Sequence, residues 1–299
     1  MVAYMSVWKR LQLTLEMIKF EHSVFALPFA LTAALLAWRD NGYADGQLWW
    51  RLGWITVCMV SARSAAMAFN RILDSAIDAE NPRTRMRQIP SGQLSVKFAW
   101  AFVIVAAFVF LVSSGQLNPL CFLLAAPALG VLFFYSFTKR FTHYSHVVLG
   151  FCLGMAPAAA WIAMRGAVDP RILWLTAAVT LWTAGFDIIY SCQDFAYDQQ
   201  AGLHSIPSRV GIAKALMIAR AMHLAMLACL GLLLASFGLG WMAWIGVAVV
   251  AALLAYEHSL VKATDLSRVN AAFFTVNGWV SVLFFVFWAT EIVFLRRGA

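Results

Sequence analysis

Residues 171–198 read RILWLTAAVTLWTAGFDIIYSCQDFAYD. From Ile172 to Phe186 no residue is charged, and Ile188 and Ile189 bring the run close to the roughly 20 apolar residues that a bilayer-spanning helix needs. The run then ends in Asp187, Asp194 and Asp198, with Tyr190 among them. At about 100° per residue these four side chains fall on one stripe of a helix. A second stretch is built the same way: an apolar run from residue 52, interrupted by Arg63, closes in Asn70-Arg-Ile-Leu-Asp74-Ser-Ala-Ile-Asp78. Asn70, Asp74 and Asp78 again share one face. Like charges four residues apart repel, so neither helix gains stability from this pattern. Acids at a membrane edge are costly and usually functional. Carboxylate clusters without cysteine or histidine neighbours suit a hard, oxygen-seeking cation such as Mg²⁺.

The rest of the chain agrees with a membrane setting. Hydrophobic residues make up 63% and charged residues 12%, about half the charged share of a soluble protein. A mean hydropathy of +0.77 cannot be hidden in one compact soluble core. The net charge of +8 is dispersed over short connections between apolar runs, which excludes a nucleic-acid-binding face. Five cysteines lie mostly in apolar runs without metal-ligand spacing, so they read as small buried hydrophobes.

Nine apolar segments meet or approach spanning length: 20–38, 52–73, 98–114, 117–135, 147–164, 171–191, 215–236, 240–256 and 271–295. An all-α membrane protein with nine transmembrane helices follows. Lys9, Arg10, Lys19, Arg83, Arg85, Arg87, Lys97, Lys139, Arg140, Arg209, Lys214, Lys262 and Arg268 then share one side. The opposite side has Arg39, Arg51, Arg165, Arg171, Arg296 and Arg297, fewer than half as many. The positive-inside rule puts the N-terminus and both acidic groups in the cytoplasm. Asp74 to Asp194 and Asp78 to Asp198 are both 120 positions apart, and Ile89-Pro90-Ser91 recurs at nearly that offset as Ile206-Pro207-Ser208. One domain, residues 1–299, built of two related halves (about 1–140 and 141–299), would supply one wall of a shared site from each half.

Basic residues border both acidic groups: Arg83, Arg85 and Arg87 after the first, Lys139 and Arg140 after the fourth span, His204 and Arg209 after the second. Two acidic walls with a basic rim describe a site for a metal-bound diphosphate. Arg63 lies roughly 10 Å deeper along its helix than Asn70, and about 20° from it around the axis. Its reading is the partner of a carboxylate-bearing ligand or a buried structural pair. Asn270 and Asn277, seven residues apart on the last span, either line a cavity or join helices.

Both acidic groups match, in full and in order, the N-x-x-x-D-x-x-x-D and D-x-x-Y-x-x-x-D-x-x-x-D motifs of the UbiA superfamily of intramembrane aromatic prenyltransferases, which this chain resembles. YSFTKR (135–140) and VVLGFCLG (147–154) are family-like as well. With Lys19-Phe-Glu-His22, the pattern is most similar to bacterial 4-hydroxybenzoate polyprenyltransferases and the related menaquinone-pathway branch. Two departures are Arg71, where members often carry aspartate, and His204, where many carry lysine.

The resemblance implies a helical bundle around a central cavity, open to lipid, in a bacterial inner membrane. It implies Mg²⁺ held by Asn70, Asp74, Asp78, Asp194 and Asp198, with the four aspartates catalytic. Arg85, Arg87, Lys139, Arg140 and His204 would bind diphosphate, and Arg63, Asp187 and Tyr190 the acceptor. The ligands are then a polyprenyl diphosphate and a small aromatic acid, the surroundings the lipid bilayer, with neither nucleic acid nor an obligate protein partner. Haem and naphthoate acceptors would share the acidic motifs. A cation-coupled transporter is the reading from another class, and depth separates the two. Transporters place acids near the midplane on broken helices, whereas phosphate chemistry wants them at span ends beside basic loops.

Overall fold

The computed structural model describes residues 6–19, 25–42 and 46–295. Glu21, His22, Arg296 and Arg297 lie outside the described residues. The regular secondary structure within them is helical, apart from one isolated bridge between Lys262 and Asp265. The helices are α1 (Val7–Met17), α2 (Leu27–Asp40), α3 (Leu48–Leu73), α4 (Ser75–Glu80), α5 (Val96–Gly115), α6 (Pro119–Thr138), α7 (Ser145–Arg165), α8 (Leu173–Ser191), α9 (Phe195–Gln200), α10 (Ile206–Val210), α11 (Ile212–Phe237), α12 (Trp241–Leu260) and α13 (Asn277–Thr290).

Eight helices among the described residues are long and apolar enough to cross a membrane. They coincide with the second to ninth segments expected from sequence. The first expected segment differs. Its described part, α2, has 14 residues and spans about 21 Å at 1.5 Å per residue, short of a hydrocarbon core of about 30 Å. Phe29, Ala30, Ala33, Ala34, Leu36 and Ala37 have no exposed surface, and α2 packs against α3, α7 and α13. A helix enclosed by protein has no need to match the lipid thickness.

Small residues set the closest helix contact, between α7 and α8. A Cβ placed on Gly150 would stand 2.2 Å from the Thr180 carbonyl oxygen, and one on Gly154 would stand 2.1 Å from Thr180 Oγ1. In lipid, where apolar side chains gain little by leaving the solvent, such backbone approach is a main source of association. His146, Gly150 and Gly154 follow at intervals of four, so one stripe of α7 faces α8. Elsewhere a buried polar chain joins three helices. Trp182 Nε1 donates to Asn277 Oδ1 at 2.7 Å, and Asn277 Nδ2 donates to Glu257 Oε1 at 2.7 Å. Asn277 thus joins helices and does not line the cavity described below; Asn270 is exposed. A π-helical turn over Ala271–Val276 precedes Asn277.

Gly150→Val should overpack the α7–α8 contact at a cost of about 1–3 kcal/mol. It lowers the thermal unfolding midpoint in detergent, whereas Gly130→Ala, with nothing within 4 Å of its Cβ, leaves it in place. Equal midpoints for both variants would remove the glycine stripe from the packing account.

Candidate active site

Both acidic motifs break at their middle aspartate. Asp74 ends α3 with φ −85° and ψ 1°, and α4 begins at Ser75. Asp194 lies in a 3₁₀ turn, Cys192–Asp194, between α8 and α9. The sequence reading of each motif as one continuous helix is therefore corrected. Like charges spaced four apart disfavour a straight helix, and a break lets their carboxylates diverge. It also places Asp78 and Asp198 in the first turns of α4 and α9, where the helix dipole favours a negative charge. The two short helices, residues 75–80 and 195–200, stand 120 positions apart. Tyr197 straps them together, its hydroxyl donating to the Ile77 carbonyl at 3.0 Å.

Each of the four aspartates meets a separate cation. Arg140 Nη2 donates to Asp74 Oδ1 at 3.0 Å, and Asn70 Nδ2 to Asp74 Oδ2 at 3.0 Å. Arg87 Nη1 lies 2.7 Å from both Asp78 oxygens. Arg83 grips Asp194 as a fork, with Nε to Oδ1 at 2.9 Å and Nη2 to Oδ2 at 2.6 Å, and Asn81 Nδ2 adds a longer bond of 3.4 Å. Lys139 Nζ lies 2.9 Å from Asp198 Oδ1. The Asp198 carboxylate is fully buried and has no hydrogen-bond partner beyond that ion pair. Lys139 and Arg140 are neighbours in the chain, and each holds a different motif. Burial pushes the Asp74 carboxyl above its usual range, while Arg140 draws it back.

The acids therefore sit at helix ends beside basic connections, the arrangement expected for phosphate chemistry and not for midplane transport. Of the basic residues singled out from sequence, Arg87, Lys139 and Arg140 are in the cluster. Arg85 is exposed and makes no ion pair among the described residues. His204 adjoins the cluster through its backbone N–H, which donates to the Lys139 carbonyl at 2.9 Å, and through its ring, 4.7 Å from that of His143. Arg83, read from sequence only as part of the basic rim, grips Asp194 directly, and Asn81 and Tyr197 were not singled out from sequence. Nothing in Arg83-Thr-Arg85-Met-Arg87 tells which arginine turns inward, because the segment is not a regular helix.

Below the acids lies an apolar cavity of about 510 Å³, within the range of small-molecule sites. It runs from Asn70 and Tyr135 down to Ile55, Ser114, Leu117 and Cys121. From Asn70 to Ile55 along α3 this is about 22 Å at helical rise. Arg63 is the one charged side chain lining it among the described residues.

Tyr190 and Asp187 lie on α8. The Tyr190 ring stacks 4.1 Å from Phe273, and its oxygen accepts from Arg83 Nη1 at 3.3 Å. Asp187 is bonded by His146, Nδ1 to Oδ2 at 2.7 Å. The spacing of His146 with Gly150 and Gly154 was the available sign that this histidine faces α8. Arg71, the departure from the first motif, is buried and donates from Nε to the Met17 carbonyl at 3.2 Å, tying α1 to α3.

Residues 26–292 match the model of the UbiA prenyltransferase family. A 4-hydroxybenzoate octaprenyltransferase of Cupriavidus necator is 30% identical over 295 residues, covering 97% of this chain and 99% of its own length. One from Enterobacter sp. is 32% identical, covering 75% of this chain and 77% of its own. The apo structure of a UbiA homolog from Aeropyrum pernix K1 superposes with a TM-score of 0.82 at 31% identity, over 91% of this chain and 98% of that one. A UbiA homolog from Archaeoglobus fulgidus bound to GPP and Mg²⁺ shares the fold, with a TM-score of 0.69 at 19% identity over 94% and 99% of the two chains. With its motifs gathered over one apolar cavity and its length matched almost end to end, this chain belongs to the UbiA prenyltransferase family.

Proposed function

We propose that the chain transfers a polyprenyl group from a polyprenyl diphosphate to 4-hydroxybenzoate, at the ring carbon ortho to the phenol, in ubiquinone biosynthesis. The observation that carries this reading is the set of four cation-matched aspartates, one of them bonded by the Asn70 that lines the upper end of an apolar cavity about 22 Å deep by helical rise. A prenyl chain needs an apolar channel, and its diphosphate needs charge at one end of it. The relatives named 4-hydroxybenzoate octaprenyltransferase supply the acceptor and the pathway.

The donor set fits Mg²⁺. Asp74, Asp78, Asp194, Asp198 and Asn70 offer only oxygen-bearing ligands, and the buried Asp198 carboxylate has a single ion pair to answer its charge. Bound there, Mg²⁺ would draw negative charge from the leaving diphosphate. Lys139, Arg140, Arg87 and Arg83 then have phosphate oxygens as partners in place of the carboxylates, with Arg85 and His204 at the rim. The allylic C–O bond breaks with its electron pair on the diphosphate, the allylic carbon bonds to the ring, and the ring carbon loses its proton. The apolar walls keep water from the electron-poor allylic carbon. Arg63 holds the acceptor carboxylate, since an anion entering that cavity needs a charged partner; Asp187 and Tyr190 bound the acceptor from α8. The protein is one unit of two related halves, with eight long spans and the shorter, protein-enclosed α2 as a ninth crossing, in a bacterial inner membrane, with the N-terminus and the site facing the cytoplasm.

Purified protein supplied with Mg²⁺ and a labelled polyprenyl diphosphate should prenylate 4-hydroxybenzoate, and failure to do so would end this reading. EDTA should stop transfer reversibly. Asp74→Ala and Asp194→Ala should abolish it in folded protein, and undiminished turnover of either would assign the acids another use.

Arg63→Ala should raise the acceptor KM about 10- to 100-fold, the worth of a hydrogen bond to a charged group, with little change for the prenyl diphosphate. Arg63→Lys recovers little, because a fork is replaced by a point charge. Equal losses for both substrates would move the acceptor pocket elsewhere.

Lys139→Met leaves Asp198 buried without its cation, which should lower stability by about 3–5 kcal/mol. Mg²⁺ with inorganic diphosphate restores part of the thermal midpoint. A midpoint equal to wild type without added ions would show that the pair is not holding the site.

A further inference from the structure

Five aspartates lie along the two motifs, and four of them face an arginine or lysine. Among the described residues Asp187 is the exception. Its close partner is His146, which is 2% exposed and whose Nδ1 is 2.7 Å from Asp187 Oδ2. The other ring nitrogen identifies the proton's position. Ile206 N–H, at the start of α10, points at His146 Nε2 from 3.3 Å. A backbone N–H can only donate, so Nε2 presents its lone pair and the ring's proton is on Nδ1. An imidazolium would set two N–H groups against each other. With Nδ1 as the donor, the ring aims its proton at Asp187.

The consequence is electrostatic. The other four carboxylates are each paired with an arginine or lysine, whereas Asp187 is paired, among the described residues, with an imidazole. Asp187 is not itself among the residues lining the cavity, but it shares a face of α8 with one that is. Thr176 lines the cavity, and Asp187, eleven residues on, is turned only about 20° from it and is roughly 16 Å nearer the acids. An anion held in one rotamer beside the upper cavity is an acceptor for a phenolic O–H, and a hydroxybenzoate anchored by its carboxylate at Arg63 presents that group toward the acids.

We propose that His146 is a positioning residue of the acceptor site, holding Asp187 in place as an un-neutralised carboxylate that accepts the acceptor's phenolic hydrogen bond. The role deepens the reading above and rests on it. His146 also fastens Asp187 to the segment after the second motif. Ser205 caps α10 through Ser208 N, and its carbonyl meets His143 Nδ1 at 3.0 Å, so two histidine rings hold the segment after the motif, and that of His146 also holds Asp187.

The test is a double-mutant cycle on the full chain, with geranyl diphosphate, Mg²⁺ and 4-hydroxybenzoate. His146→Leu should lower kcat/KM for 4-hydroxybenzoate about 10- to 100-fold and leave the geranyl diphosphate KM within about twofold. His146→Asn, which keeps a donor near the Nδ1 position, should recover most of the loss. In an Asp187→Asn background His146→Leu should add nothing further. Equal loss for both substrates, a full effect persisting without Asp187, or no recovery by asparagine would overturn the role. Should His146→Leu fail to fold, nitrogen NMR of imidazole-labelled wild type decides. A neutral ring protonated on Nδ1 at neutral pH supports the assignment, and an Nε2 proton or an imidazolium overturns it. That spectrum is independent of turnover, so a wild type that does not prenylate 4-hydroxybenzoate would end the functional reading while the spectrum still judges His146.

Discussion

A carboxylate at the edge of a bilayer has to be compensated, and the architecture of this protein follows from compensating several at once. Removing a charge from water costs several kcal/mol even after relaxation, and Asp198 is wholly enclosed. Compensation comes from connections between helices. Lys139 and Arg140 leave α6 side by side and divide, one to Asp198 and one to Asp74. Arg83 and Arg87 leave α4 and divide likewise, to Asp194 and Asp78. Each connection thus crosses between the motifs, and the two walls are held together by the charges that make them expensive.

This crossing arrangement depends on helix ends that are held still. The α7–α8 contact, made close by Gly150 and Gly154, fixes the distance between the start of the 145–165 helix and the end of the 173–191 helix, where Asp187 lies. The enclosed helix α2 fills the volume behind them without contributing any charge to the cavity. Trp182, Asn277 and Glu257 hold α8 to the last two helices from the other side. The apolar cavity is left between α3, α5, α6, α7 and α8, where side chains such as Ala62, Ala66, Ala125, Ala128, Ala156 and Ala160 are too short to fill it.

Spans and acids were legible in the sequence because both are periodic or extended signals. A run of twenty apolar residues and an aspartate every fourth position need no knowledge of the partner. The breaks at Asp74 and Asp194 were not legible from the same pattern, although the repulsion that favours them was. The inward turn of Arg83 and Arg87 over Arg85 depends on the course of an irregular segment, which no local period encodes. His146 pairs with a residue 41 positions away and was signalled only by sharing a stripe with two glycines. The short first helix escaped because a segment buried in protein and one facing lipid have the same apolar composition.

On the proposed reading, the division of charge between the acidic cluster and the cavity also sets where each substrate would bind. A diphosphate is strongly attracted to a rim holding Arg83, Arg87, Lys139 and Arg140, while an aromatic acid of single charge has more to gain from one guanidinium in low dielectric, where each interaction is stronger. With those roles, the two anions would be separated by depth and would not compete for the same cations. The roughly 10 Å between Asn70 and Arg63 along the helix is about the length over which a small hydroxybenzoate, its ring and the reacting carbon must fit. On the proposed reading, depth along one helix would order the substrates: the leaving group would stay beside the lysine and arginines at the helix ends, and the ring would lie deeper, where Arg63 is the charged side chain among the described lining residues.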